Sequence, residues 1–319
     1  MTSEISRRAF LKSSLGAAGS VAASSGLARA AAAAETPEDP LATLIDVSKC
    51  IGCEECVHAC RESNAGKYPA PEKPFPGMIP SRVPVEDWSD RQDVSDRLTP
   101  YNWLYIQYAR ANKDGEEIEL TLPRRCMHCV NPPCVKLCPW GAAKQEENGL
   151  SRIDSDICLG GSKCRKVCPW HIPQRQTGVG LYLELLPSMA GNGVMYKCDR
   201  CFQKIEKGEI PACIEACPEG VQTMGPRSEI LRTAHDLAGK MNGYIYGEKE
   251  NGGTNTIYVS PVPFDELIIE TGKGRPHLSP VKNLMENGTH IALALLIAPV
   301  AGAAAAFSKF YRRVKEDEQ

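Results

Sequence analysis

The fifteen cysteines fall in four runs, and the first, Cys50-x2-Cys53-x2-Cys56-x3-Cys60, has the spacing that wraps a cubane iron–sulfur cluster and lends its last thiolate to a second one. The others are Cys126-x2-Cys129-x4-Cys134-x3-Cys138, Cys158-x5-Cys164-x3-Cys168 and Cys198-x2-Cys201-x11-Cys213-x3-Cys217. A C-x-x-C loop is short enough for successive thiolates to converge on one metal core, while the cysteine closing the run faces a neighbouring core. Proline follows Cys138, Cys168 and Cys217 and turns the chain, because its fixed φ and missing N–H disfavour regular structure beyond it. Four runs imply four clusters, with iron held through these same cysteines. A disulfide scaffold, or a zinc ribbon at the fourth run, leaves the repeated x3-Cys-Pro ending unexplained. Covalent haem is excluded because no C-x-x-C is followed by histidine; Cys126-Met127-His128-Cys129 carries it inside.

In a two-cluster ferredoxin unit each run gives three ligands to one cluster and one to the other. Runs two and three are neighbours in sequence, which puts Cys126, Cys129, Cys134 and Cys168 on one cluster and Cys158, Cys164 and Cys138 on its partner. Runs one and four then pair across the chain. That gives Cys50, Cys53, Cys56 and Cys217 for one cluster and Cys198, Cys201, Cys213 and Cys60 for the other. Sequential pairing, run one with two and run three with four, stays open. The expected fold class is α+β: two pseudo-symmetric bacterial-ferredoxin-like units with loop insertions, plus one C-terminal transmembrane helix.

Four full cubanes would need one more thiolate than the chain has. Aligning Cys158-Leu-Gly-Gly161-Ser-Lys-Cys164 with Cys50-Ile-Gly-Cys53-Glu-Glu-Cys56 sets Gly161 where the second cysteine belongs. The expectation is three [4Fe-4S] clusters and one [3Fe-4S] cluster. The competing reading is a cubane whose fourth iron takes hydroxide, water or a nearby group such as Ser162.

Residues 1–34 read as a twin-arginine signal: Ser6-Arg7-Arg8-Ala9-Phe10-Leu11-Lys12, a weakly apolar Leu15–Ala28 stretch, then small residues around Ala28-Arg29-Ala30. That route carries folded proteins, so clusters can be built before export. Near the other end, Ile291 to Phe307 is uncharged and just long enough to span a bilayer, with Lys309, Arg312, Arg313 and Lys315 behind it. The positive-inside rule places that tail in the cytoplasm and the cluster domain on the periplasmic face of the inner membrane. The expected organisation is a signal at 1–34, a four-cluster domain at 41–225, an extension at 226–288, a transmembrane helix at 289–310 and a tail at 311–319. A net charge of −2 implies no nucleic-acid partner.

Trp103–Tyr108 and Glu116–Leu122 flank Asp114-Gly115, a hairpin signal. Glu229–Lys240 reads as an amphipathic helix and Thr256–Ser260 as a strand. Tyr68 to Pro84 reads as an ordered proline-rich arm, and Trp170 to Met195 as an insertion suited to docking a partner. Trp140 and Trp170, each after Cys-Pro, are expected to pack beside clusters. His58, His128 and His171 are expected near the cluster loops rather than as ligands, and His290 as an interfacial anchor.

The signal, the four runs, Cys126-Met-His-Cys129-Val, Gly247-Glu-Lys-Glu-Asn-Gly-Gly-Thr254 and the terminal anchor resemble the HybA-like ferredoxin-type subunits of membrane-bound nickel–iron hydrogenases. The wider family serves formate dehydrogenases, polysulfide reductases and quinone reductase complexes. Gly161 departs from its pattern. The resemblance implies a relay of single electrons between a periplasmic catalytic subunit (nickel–iron hydrogenase, or a molybdopterin or multihaem oxidoreductase) and a quinone-reactive membrane subunit of NrfD or cytochrome b type. No substrate chemistry is expected here, in keeping with the lack of a Walker A loop, dinucleotide fingerprint, nucleophile elbow or H-E-x-x-H motif. The alternative is a self-contained enzyme using an open iron beside Gly161.

Overall fold

Leu41–Asp46 (β1) alternates between two environments, as the two-residue period of a strand requires. Ala42 and Leu44 join one small apolar cluster, whereas Ile45 belongs to the large core that also holds the buried cysteines. The computed structural model describes residues 38–75, 84–185 and 192–286. The expected signal at 1–34, anchor at 289–310, tail at 311–319 and His290 lie outside the described residues, as do residues 76–83 of the proline-rich arm and 186–191 of the expected docking insertion. Among the described residues no helix is long and apolar enough to cross a membrane.

The long hairpin is formed by Tyr105–Lys113 (β2) and Glu116–Arg124 (β3). Its two-residue turn puts Asp114 at φ 56° and Gly115 at φ 90°, the left-handed pair of a type I′ turn. Asn112 Oδ1 accepts from Gly115 N at 3.0 Å and closes it. Two short hairpins link the later runs. Ala143–Gln145 (β4) leaves run two and pairs with Ser151–Ile153 (β5), which leads into run three. Gln174–Gln176 (β6) leaves run three and pairs with Val194–Tyr196 (β7), which leads into run four.

Gln222–Pro226 (β8) leaves run four and lies antiparallel to β1, which leads into run one, with Ile45 opposite Gln222. The first and last runs are thereby brought side by side. Tyr244–Tyr246 (β9) and Thr256–Ser260 (β10) complete this sheet in the order β8-β1-β10-β9, with β1 and β10 parallel. Ile268–Ile269 (β11) borders the long hairpin through β2. The segment expected as a C-terminal extension thus supplies two strands to the sheet that begins the cluster domain.

The helices are Glu55–Asn64 (α1), Pro133–Lys136 (α2), Lys163–Lys166 (α3), Tyr182–Leu185 (α4), Phe202–Ile205 (α5), Ala212–Glu215 (α6) and Arg227–Met241 (α7). The last is the expected amphipathic helix, slightly longer at both ends. Ile230, Ala234 and Ala238, four residues apart, form one buried stripe on Ala42, Leu44, Ile257 and Val259. Asn242 ends it in the left-handed region at φ 51°. Because Ile257 is fully buried, Ile257→Ala is expected to cost about 2–4 kcal/mol. The measurement is thermal bleaching of cluster absorbance, which should begin at lower temperature with the starting iron content unchanged; an unshifted curve would mean that α7 contributes little to holding the sheet.

Candidate iron–sulfur centres

Each run ends on the same local shape. Cys56, Cys134, Cys164 and Cys213 sit at the first turn of α1, α2, α3 and α6, and the closing cysteine follows four residues later. One helical turn separates the two, so they reach in related directions from one short element. The loop two residues after the first cysteine of each run turns through a left-handed residue: Gly52 at φ 72°, His128 at 46°, Gly160 at 65° and Arg200 at 57°. Glycine takes that conformation freely, whereas His128 and Arg200 are strained there and must be held by their surroundings. They are: His128 Nδ1 accepts from Ser151 N at 3.2 Å, and Arg200 donates to Leu41 O, Asn255 O and Thr256 Oγ1.

Runs one and three share a second left-handed residue, Glu54 at 63° and Ser162 at 58°. Cys53 and Gly161 therefore occupy equivalent backbone positions. Gly161 is itself outside the left-handed region, and a Cβ there would meet nothing within 4 Å. Neither space nor backbone demands a glycine. The hydroxyl of Ser162 is already engaged, donating to Met195 Sδ at 3.5 Å and accepting from Arg165 Nη2 at 3.3 Å.

The cysteines act on one another across the runs. Burial pushes the Cys56 thiol up to about 12, and negative charge on Cys213, Cys50 and Cys217 adds to it. Cys50, Cys53, Cys56 and Cys217, with Ile106 and Val221, line one small cavity. Cys60 is raised by burial and then by Cys213, Cys198 and Cys201. Cys129 is raised by burial and then by Cys134, Cys168 and Cys126. Cys164 is raised by burial and by Cys134, Cys158 and Cys138 among its neighbours. Charge on one run is also felt by the next: Cys56 feels Cys213, Cys198 feels Cys126, and Cys164 feels Cys134.

Such thiols would stay protonated without a cation, and a coordinating metal deprotonates them outright. The surroundings fit an anionic sulfur cluster. Backbone N–H groups point at sulfur from His128 to Cys126 (3.5 Å), Ala143 to Cys138 (3.5 Å), Met195 to Cys158 (3.5 Å), Arg200 to Cys198 (3.3 Å) and Val221 to Cys217 (3.4 Å). Arg125 is fully buried, yet its Nε and Nη2 have no acceptor in the protein, as expected if inorganic sulfide is to receive them. Among the described residues no three Cys, His, Asp or Glu side chains could hold a single metal ion; a cluster takes one thiolate per iron and holds its sulfurs further apart.

Several of these partners were not evident from the cysteine spacing. Asn251 is fully buried, and its Nδ2 donates to Cys129 Sγ at 3.4 Å. It belongs to the Gly247–Thr254 stretch, which clamps run two: Val130 N donates to Gly253 O at 3.0 Å and Asn255 N to His128 O at 2.9 Å. Glu86 ties down run three. Burial would raise its carboxyl, but Arg165, Arg175 and Lys273 hold it at about 2. Its contacts are 2.6 Å to each arginine and 3.0 Å to the lysine.

The two tryptophans differ, correcting the expectation that both pack beside clusters. Trp170 is buried and donates from Nε1 to Tyr246 OH at 2.8 Å, beneath a C-terminal segment whose His277 Nε2 reaches Pro169 O at 3.0 Å. Trp140 has no such cover and is 58% exposed. His58 and His171 are exposed, whereas His128 is buried and kept neutral by burial and by the charges of Arg200, Lys197 and Arg125.

Two overlapping family models match, both described as a 4Fe-4S dicluster domain, over residues 49–142 and 118–227. A protein of Nitratidesulfovibrio vulgaris is 33% identical over 81% of this chain, and the chain spans 65% of that protein's length. The hydrogenase-2 operon protein HybA of Escherichia coli O157:H7 is 30% identical over 74% of this chain and 75% of its own length. The iron–sulfur subunit of the nitrate-inducible formate dehydrogenase of Escherichia coli K12 is 30% identical over 69% and 67%. The chain belongs to this family of HybA-like, ferredoxin-type iron–sulfur subunits, which transfer electrons within oxidoreductase complexes and are not the catalytic subunits.

Proposed function

We propose that the chain relays single electrons between a periplasmic catalytic subunit, a nickel–iron hydrogenase in the first instance, and a quinone-reactive membrane subunit of NrfD or cytochrome b type. The observation that carries this reading is the linking of the runs to one another: Arg125, which precedes Cys126, donates to Cys213 Sγ at 2.8 Å, and Lys197, which precedes Cys198, donates to Cys126 Sγ at 3.5 Å. The ligand sets are Cys50, Cys53, Cys56 and Cys217; Cys198, Cys201, Cys213 and Cys60; Cys126, Cys129, Cys134 and Cys168; and Cys158, Cys164 and Cys138. They lie in that order. The two ends of the series open at the surface, Cys53 beside an Ile51 that is 65% exposed at one and Gly161 at the other. Electrons enter at one end and leave at the other.

The twin-arginine signal and the apolar 291–307 stretch support export and anchorage at the periplasmic face of the inner membrane. A formate dehydrogenase partner is the second reading, favoured by a relative of that kind with the same 30% identity as the hydrogenase one. The complex purified anaerobically from detergent-solubilised membranes is expected to contain a large nickel–iron chain and to show EPR signals of reduced clusters on adding hydrogen. A response to formate alone, with a molybdopterin chain present, would transfer the protein to the second reading. Clusters that stay oxidised with every donor would contradict a relay.

The last group has three thiolates and an empty equivalent of Cys53, which supports a three-iron cluster there. In Gly161→Cys the three-iron EPR signal of gently prepared protein should disappear and iron content rise by about one atom per chain. An unchanged spectrum with cysteine at position 161 would favour the cubane with a non-protein ligand.

A further inference from the structure

The residue preceding the first cysteine differs among the runs. Lys49 has its side chain 56% exposed, and Ile157 is 38% exposed. Arg125 and Lys197, before Cys126 and Cys198, are both buried. Each reaches a sulfur of a different run. Arg125 Nη1 donates to the sulfur of Cys213, in the run-four group, at 2.8 Å. Lys197 Nζ donates to the sulfur of Cys126, in the run-two group, at 3.5 Å. The two cations therefore cross over at the boundary between the ferredoxin-like units, where no run contributes to both adjoining groups.

The charges there are held by geometry. An ammonium has three donors, and Lys197 has three acceptors, Ser151 O, Cys198 O and Cys126 Sγ. A guanidinium stays charged in proteins. The nearby carboxylate of Asp199 is paired with Lys67 at 2.7 Å and accepts from Cys201 N at 2.9 Å. Buried charges escape most of the screening that salt gives at the surface.

We propose that Arg125 and Lys197 are positioning charges that set the reduction potentials of the two central clusters in crossed fashion. Arg125 raises the potential of the cluster held by Cys198, Cys201, Cys213 and Cys60. Lys197 raises that of the cluster held by Cys126, Cys129, Cys134 and Cys168. Reduction adds one negative charge to a cluster, and a buried cation hydrogen-bonded to a ligand sulfur stabilises the more negative form. An electron crossing the boundary oxidises one central cluster as it reduces the other, so nothing else is consumed.

The inference rests on the ligand sets proposed above, and the test separates the two. In the holo-complex, Cys213→Ser and Cys129→Ser first mark the EPR signal of each central cluster; if neither perturbs a distinct signal, the ligand sets fail. EPR-monitored redox titrations of Arg125→Gln and Lys197→Gln then follow, with iron assayed in each. With iron content retained, Arg125→Gln should shift the run-four cluster to more negative potential by more than the run-two cluster, and Lys197→Gln should do the reverse. Should Arg125→Gln lose iron, Arg125→Lys, which keeps the charge but withdraws it from Cys213, should give a smaller negative shift at the same cluster. Unshifted potentials with iron intact, or larger shifts at the cluster of the substituted residue's own run, would overturn the proposal.

Discussion

Buried thiolate is the constraint on which the rest of the structure depends. Most of the cysteine sulfurs are removed from water and stand close to one another, so each would cost free energy as an anion without compensation. Iron supplies most of that compensation, and the protein adds backbone N–H groups and buried cations. Left-handed His128 and Arg200 aim their N–H groups at sulfur, and Ala143, Met195 and Val221 supply others from in or beside the short strands. The hairpins between the runs then have one requirement, to return the chain to the next loop at the right height. Metal binding and folding are coupled in such an arrangement.

The two halves meet this constraint differently. Runs two and three are joined by the β4–β5 hairpin, a local connection. Runs one and four are joined by β1 beside β8, elements more than one hundred and seventy residues apart, and α7 covers one face of the sheet through β1 and β10. The half assembled over the longer sequence separation is thus the one with a hydrocarbon core of its own. Run three, one thiolate short, is instead tied down by Glu86 and its three cations and by Arg175 Nη1 donating to Gly160 O at 3.2 Å. Gly160 also needs its missing side chain, since a Cβ would stand 2.4 Å from Gly193 O.

Much of this was legible in the sequence because cysteine spacing is a metal-ligand code with few readings. The hairpin at Asp114-Gly115, the helix near 229–240 and the strand at Thr256–Ser260 followed from turn chemistry and periodicity. What was not legible depends on contacts distant in sequence. Trp140 and Trp170 have the same Cys-Pro context, and only the C-terminal segment folding over Trp170 separates them. Asn251, in a stretch that carries the family resemblance but no cysteine, reaches a cysteine sulfur with its amide. Arg125 and Lys197 have no motif of their own beyond preceding a cysteine, and only the fold shows that both are buried.

The most direct test of this account is a density map of the iron-loaded protein in which each cluster's ligands can be traced. The account predicts four clusters in one row, the first joining Cys50, Cys53 and Cys56 to Cys217 and the last lacking a protein ligand at Gly161. A map in which run one shares a cluster with run two, or in which the clusters do not form a single row, would contradict it.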